Sequence, residues 1–118
     1  MVTEADVRRV ARSLPSTDET VSYGMPAFRV KGKLFARIRE EGVLVVWVND
    51  VSEKEALIES DPATFFTIPH YDGHPMVLVR LEAVDEDELT DVLTESWRLR
   101  APRPLLAAFD AATDGPHA

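Results

Sequence analysis

Two imidazoles, a phenol and a carboxylate fall within five residues in His70-Tyr71-Asp72-Gly73-His74. Imidazoles four apart share a zinc ion when a helix stacks them on one face. Asp72-Gly73 is instead a favoured two-residue hairpin turn, which sends the two rings to opposite faces and predicts no metal site. The chain has no cysteine, so thiolate zinc ligation, disulfides and a cysteine nucleophile are all excluded. Ser22, Ser60 and Ser96 lie in no nucleophile-elbow sequence. Gly24, Gly32, Gly42 and Gly73 are separate turn glycines, not a phosphate-cradling loop. The acidic run Asp85-Glu86-Asp87-Glu88 fits a helix start, where the dipole favours carboxylates. These residues predict a protein that is not an enzyme and holds no cofactor.

The remaining chemistry is that of cations beside aromatic rings. The 118 residues carry 13 Lys and Arg against 21 Asp and Glu, a net charge of −8. Such a chain repels a phosphate backbone at long range, so a nucleic-acid role needs a local basic cluster. Hydrophobic residues at 45% and charged residues at 29% are ordinary globular values. The longest apolar run, Val43 to Val48, is too short to span a bilayer, and Met1-Val2-Thr3-Glu4 opens no signal segment. The expectation is a single domain over 1-118 (core about 3-110, with 113-118 frayed), cytoplasmic and without a membrane partner.

The elements that must position those cations follow from periodicity. Thr3 with Asp6 reads as a capped helix start, and Val7, Val10, Ala11 and Leu14 form its apolar stripe before Pro15. A polar loop over Ser16–Thr20 leads to three strand-like runs, Ala27–Val30, Leu34–Arg39 and Val43–Val48. Ser52 and Glu55 predict the cap of a short helix that Asp61-Pro62 ends. Strands over about 64–71 and 74–83 flank Asp72-Gly73, and Asp85 with Glu88 caps a long helix carrying Leu89, Val92, Leu93 and Trp97. Leu105, Leu106 and Phe109 suit a final helical turn. The order helix, three-strand meander, short helix, hairpin, helix predicts an α+β fold: an antiparallel sheet with helices packed on one face.

Registers then assign side chains to faces. A three-residue turn at Glu40-Glu41-Gly42 pairs Ile38 with Leu44 and Ala36 with Val46 on the apolar face. It places Arg39 with Val43, Arg37 with Val45, and Phe35 with Trp47 on the other. A loop of Lys31-Gly32-Lys33 sets Val30 opposite Leu34 and Arg29 beside Phe35. The Asp72-Gly73 turn pairs Phe66 with Val79 and Ile68 with Val77 toward the helices, and Phe65 with Arg80 and Tyr71 with His74 away from them. Arginines beside exposed rings are a surface used for bases, nucleotides and protein partners. The competing reading is that Leu105, Leu106 and Phe109 fold back over this face, or that a second copy covers it.

The motifs also carry a resemblance. Tyr23-Gly24-Met25-Pro26-Ala27-Phe28, Gly32-Lys33-Leu34-Phe35-Ala36, Asp61-Pro62 before Phe65-Phe66, Gly73-His74-Pro75-Met76-Val77 and Glu95-Ser96-Trp97-Arg98 occur in that order. In this order they resemble MmcQ/YjbR-like proteins from about Asp6 to Leu106. The resemblance implies a double-wing, frataxin (CyaY)-like fold. Such proteins are commonly labelled DNA-binding, which implies nucleic acid as a partner. The chain departs from the family hairpin at Gly73, His74 and Pro75, where a basic residue, histidine and tryptophan often stand. The candidate binding residues are Arg29, Lys31, Lys33, Phe35, Arg37, Trp47, Tyr71, His74 and Arg80. Their expected ligand is nucleic acid (DNA), or a small anionic ligand or protein partner, with a homodimer as the ligand-free alternative.

Overall fold

Thr3 starts the first helix. Its hydroxyl accepts from the Asp6 N–H at 3.4 Å, and the Asp6 carboxylate accepts from the Thr3 N–H at 2.8 Å. This capping box opens α1 (Glu4–Ser13), which buries Val7, Val10 and Ala11. The computed structural model describes residues 2–113.

Four strands follow as a meander: β1 (Thr17–Ser22), β2 (Met25–Val30), β3 (Lys33–Glu40) and β4 (Val43–Trp47). The expected polar loop at Ser16–Thr20 is therefore largely an edge strand. Tyr23-Gly24 folds β1 onto β2 with φ of 51° and 78°. Lys31-Gly32 repeats that geometry with 49° and 84°. Positive φ at both positions is the type I′ conformation that matches strand twist. The expected three-residue Lys31-Gly32-Lys33 loop is thus a two-residue turn that pairs Val30 with Lys33 and Arg29 with Leu34.

That change moves Phe35. The register shifts between Arg29 opposite Leu34 and Phe28 opposite Ala36, which leaves Phe35 as the extra residue of a β-bulge. A bulge breaks the two-residue alternation of faces. Phe35 is fully buried in the helix-side core with Phe28, Val30, Ala36 and Ile38, not on the outer face as expected. Between β3 and β4 the expected pairs hold from Ala36 with Val46 to Ile38 with Leu44. Nearer the turn Glu40, not Arg39, stands opposite Val43, and Arg39 is the extra residue.

The sheet is completed by β5 (Phe65–Phe66) and β6 (Met76–Arg80), all antiparallel in the order β1-β2-β3-β4-β6-β5. The expected hairpin is shorter because Pro69, which lacks a ladder N–H, opens a 3₁₀ turn over Pro69–Tyr71. Phe65 pairs with Val79 and Phe66 with Leu78, one residue from the expected register. The slip exchanges faces, so Phe65 enters the helix-side core and Phe66 packs on the outer face.

Three helices complete the inner layer. Asp50, rather than Ser52, caps α2 (Val51–Ser60), accepting from the Glu53 N–H at 2.8 Å. Asp85 caps α3 (Glu86–Arg100) in the same way through Glu88. The expected final helical turn is instead a full helix, α4 (Arg103–Thr113). Leu105, Leu106 and Phe109 pack on the helix-side core, with Phe109 4.7 Å from Trp97 ring to ring. They do not cover the outer face. The expected fraying lies, beyond Thr113, outside the described residues. Trp97 is fully buried and donates its Nε1–H to the Pro15 carbonyl at 3.0 Å, tying α3 to the end of α1. Burial of such a side chain stabilises by several kcal/mol, with truncation to alanine costing about 3–5 kcal/mol.

Candidate functional site

On the sheet face away from the main core, Val45, Tyr71 and Leu78 form a second buried cluster, flanked by Val43, Phe66, Ile68 and Met76. The segment around the 3₁₀ turn supplies this cover, and one side chain holds it down. Lys54 of α2 is 3% exposed, and its ammonium donates to the Tyr71 carbonyl and, at 3.2 Å, to the His74 carbonyl. Burial lowers the Lys54 pKa, while the nearby Asp72 and Glu55 carboxylates pull it upward. Each carbonyl also accepts a backbone N–H, Tyr71 from His74 at 3.1 Å and His74 from Met76 at 2.8 Å, so the lysine adds a second, charged donor to each.

The edge of this cover is one wall of a cleft of about 410 Å³ lined by Tyr23, Arg37, Arg39 and His70. Tyr23 stands on the type I′ turn, 94% exposed. The Arg37 guanidinium sits 5.5 Å from the centre of the Tyr23 ring and donates to the Tyr71 hydroxyl at 3.0 Å. His70 meets the Tyr71 ring edge-on at 4.9 Å. Arg39, turned by its bulge, donates from Nη1 to Glu40 at 3.3 Å. Its Nε is buried and has no hydrogen-bond partner among the described residues. Two guanidinium groups, an exposed phenol and an imidazole therefore share one recess. This is chemistry for binding an anion and a flat ring.

The structure distributes the sequence-predicted residues unevenly. Arg37 lines the cleft, and Tyr71 lies buried behind it as its hydrogen-bond partner. Arg29 donates to the Gly32 carbonyl at 3.3 Å, beside exposed Lys31 and Lys33 at the β2–β3 turn. Arg80 lies 4.0 Å from the Phe66 ring centre and donates to the Pro62 and Ala63 carbonyls, which makes it a clamp on the loop before β5. His74 is exposed, and its carbonyl is the group that Lys54 engages.

Phe35 and Trp47 do not form the expected pair of rings. Ser96 of α3 accepts from the Trp47 N–H at 2.9 Å and donates to the Phe35 carbonyl, bridging β3 and β4 where the ladder ends. Arg100 donates to the Leu34 carbonyl at 2.9 Å and lies 5.0 Å from the Trp47 ring centre. That ring is already stacked by a cation of the same chain. Sequence reasoning put Arg39 on this sheet face without naming it a binding residue, and it missed Tyr23 and His70 as cleft residues. Tyr23-Gly24 before Met25-Pro26 is the signal for a turn, but nothing marks its ring as exposed.

Among the described residues no three His, Cys, Asp or Glu side chains gather to hold a metal ion, and no helix is long and apolar enough to cross a membrane. The family model described as YjbR matches residues 12–99. Uncharacterised proteins of Mycobacterium tuberculosis and Mycobacterium bovis are 35% identical over 127 aligned positions, spanning 92% of this chain and 96% of theirs. The crystal structure of the Deinococcus radiodurans protein DR2400, a DUF419 domain, matches with a TM-score of 0.74 at 24% identity. That alignment covers 100% of this chain and 92% of the other, and it speaks to the fold alone.

Proposed function

The chain belongs to the YjbR family, and from that premise we propose that it is a non-enzymatic binding module. Its ligand is a small molecule carrying a phosphate or carboxylate on a flat ring, held in the Tyr23/Arg37/Arg39/His70 cleft. The observation that carries this reading is the pair of arginines in one recess, one of them with a buried Nε that has no partner among the described residues. An unpartnered buried donor costs about 1–3 kcal/mol, and a turn of the Arg39 side chain that brings its Nε onto an anion in the cleft would offset that cost. The cleft's volume falls in the range of small-molecule sites, and the exposed Tyr23 ring offers a stacking surface. The four lining residues include no carboxylate base and no activated nucleophile, which favours binding over catalysis. A cytoplasmic location, expected from the cysteine-free composition, is part of the same proposal.

The test is a thermal-shift screen of nucleoside monophosphates and aryl carboxylates. A ligand at 100 times its Kd stabilises by about 2.7 kcal/mol, and Arg37→Ala and Arg39→Ala should each abolish most of that gain. A hit equally strong in both variants would place the site elsewhere.

A second reading extends the ligand to a single nucleic-acid strand, favoured by exposed Lys31 and Lys33 beside Arg29 at the neighbouring turn. Its signature is an oligonucleotide affinity that falls steeply with salt, with a slope flattened by Lys31→Ala with Lys33→Ala. A ligand confined to the cleft ignores both lysines. A protein partner or a homodimer on this face would appear as a change in sedimentation, suppressed by Tyr23→Ser.

A further inference from the structure

A second site of opposite charge lies between α2 and α3. There the end of β4, Val46 to Val48, floors a groove of about 150 Å³ that Leu57 and Val92 wall. Its mouth carries Glu53 on α2, and Asp91 and Glu95 one helical turn apart on α3. No basic residue lines it.

The carboxylates are uncompensated. Glu53 and Asp91 have no cation partner among the described residues. Glu95 has only a 4.0 Å contact with Arg98, whose guanidinium is engaged by Asp110. Beside α1, in contrast, carboxylates are paired: Glu19 with Arg8, and Asp6 and Glu86 with Arg9. One of the groove's carboxylates, Asp91, also bears on Glu88. The Glu88 pKa is raised by burial first and then by Asp61, Asp85 and Asp91.

An apolar slot with an acidic rim on both walls selects an apolar side chain flanked by cations. An isolated ion gains nothing from the apolar floor, and a second copy of this chain brings another −8. We propose that this groove docks a basic segment of a partner protein. One aliphatic side chain of that segment sits between Leu57 and Val92, and its flanking Lys or Arg residues pair with Glu53, Asp91 and Glu95. Complementary charge sets the partner's class and the encounter rate, while the buried anchor supplies the dwell time.

The experiment uses the full chain and fluorescein-labelled peptides read by anisotropy. The probes are Lys-Lys-Leu-Lys-Lys, its serine analogue Lys-Lys-Ser-Lys-Lys, and Glu-Glu-Leu-Glu-Glu. The leucine peptide should bind at least about tenfold more tightly than the serine peptide, and the acidic one not at all. Asp91→Lys with Glu95→Lys should weaken the leucine peptide by at least about tenfold. Glu41→Lys with Glu82→Lys makes the same change in net charge at the opposite end of β4 and should shift affinity by less than about twofold. Thermal melts of both double variants confirm that they fold, since all four positions are exposed. Equal losses in the two doubles, equal binding of the serine and leucine peptides, or no binding of the leucine peptide would each overturn the proposal.

Discussion

The outer face of the sheet is two surfaces that the chain treats differently. Over β4, β6 and β5 the outward side chains are large and apolar, Val45, Leu78 and Phe66 among them, and a loop with a 3₁₀ turn covers them. Over β1, β2 and β3 the outward positions are Asp18 beside Arg29, Thr20 beside Ala27, and Ala27 beside Arg37, and all of these but the buried Ala27 are at least partly exposed. Apolar strand faces require a cover. A cover made of loop requires donors for its carbonyls, which here come from its own backbone N–H groups and from a buried lysine. Small and polar faces require neither, so the arginines of the uncovered half remain available. The boundary between the halves is the hydrogen bond from Arg37 to Tyr71, and the ligand cleft lies on that boundary.

The largest effect should come from breaking the cover. Lys54→Met keeps the stem and deletes the donors to the Tyr71 and His74 carbonyls. Both carbonyls keep a backbone donor, the N–H of His74 and of Met76, so the loss is that of two charge-assisted bonds less the cost of burying the ammonium, about 1–3 kcal/mol in urea denaturation. Amides of 69–74 should exchange faster than those of β2 and β3. A loss below about 1 kcal/mol would mean that the loop is held by apolar contact alone. Burial keeps the Lys54 pKa below 10.5, so the folded chain sheds this proton at a lower pH than the unfolded chain does. Between those two values the unfolded state binds more protons, and stability rises with pH. The gap between wild type and Lys54→Met should therefore widen as pH climbs toward 10.5.

This lysine also marks the limit of what the sequence discloses. Val51-Ser52-Glu53-Lys54-Glu55 reads as a solvated helix start, and nothing local reports that Lys54 faces a loop 17 residues away. The helix-side core was legible because Ala36, Ile38, Leu44 and Val46 keep strict alternation, and all four are buried. The capping box of α1 and the Asp85 cap of α3 were legible because they are local. Phe35 and Phe65 were misplaced for a common reason: a bulge in one case and a one-residue slip in the other reverse the faces downstream. β1 was missed because Thr17-Asp18-Glu19-Thr20 has the composition of a loop, a common disguise of an edge strand. Several residues that carry the family resemblance are builders of the fold. Gly32 makes a type I′ turn, Ser96 bridges β3 to β4, and Trp97 anchors α3. A resemblance carried by such residues identifies the scaffold well and the ligand poorly.

A smaller effect is expected at the boundary. Tyr71→Phe keeps the ring that covers Val45 and Leu78 and removes only the acceptor of the Arg37 bond. The stability loss should be about 1 kcal/mol. Arg37 then swings free, so an anion bound in the cleft should weaken more than that loss alone implies. Isothermal titration with the best nucleoside monophosphate or aryl carboxylate from the screen reads the second quantity. Unchanged affinity in Tyr71→Phe would show that the covered half does not position the open one.

The smallest effect on stability, and the one that separates the halves most sharply, belongs to Arg39. Its Nη1 has one exposed partner in Glu40, and its Nε is buried with none among the described residues. A group whose buried donor is unsatisfied costs the folded state free energy unless a ligand completes it. Arg39→Met keeps the apolar stem and removes that cost, so stability without ligand should change by less than about 0.5 kcal/mol or rise. Arg37→Met, in contrast, gives up the bond to Tyr71 and should lose about 1 kcal/mol. The same ligand's thermal stabilisation should collapse in both variants. The pattern of unequal stability and equal loss of binding is what a residue kept for its ligand produces. Should Arg39→Met instead destabilise by more than about 1.5 kcal/mol, the arginine is part of the scaffold, and the cleft loses its strongest claim to a ligand.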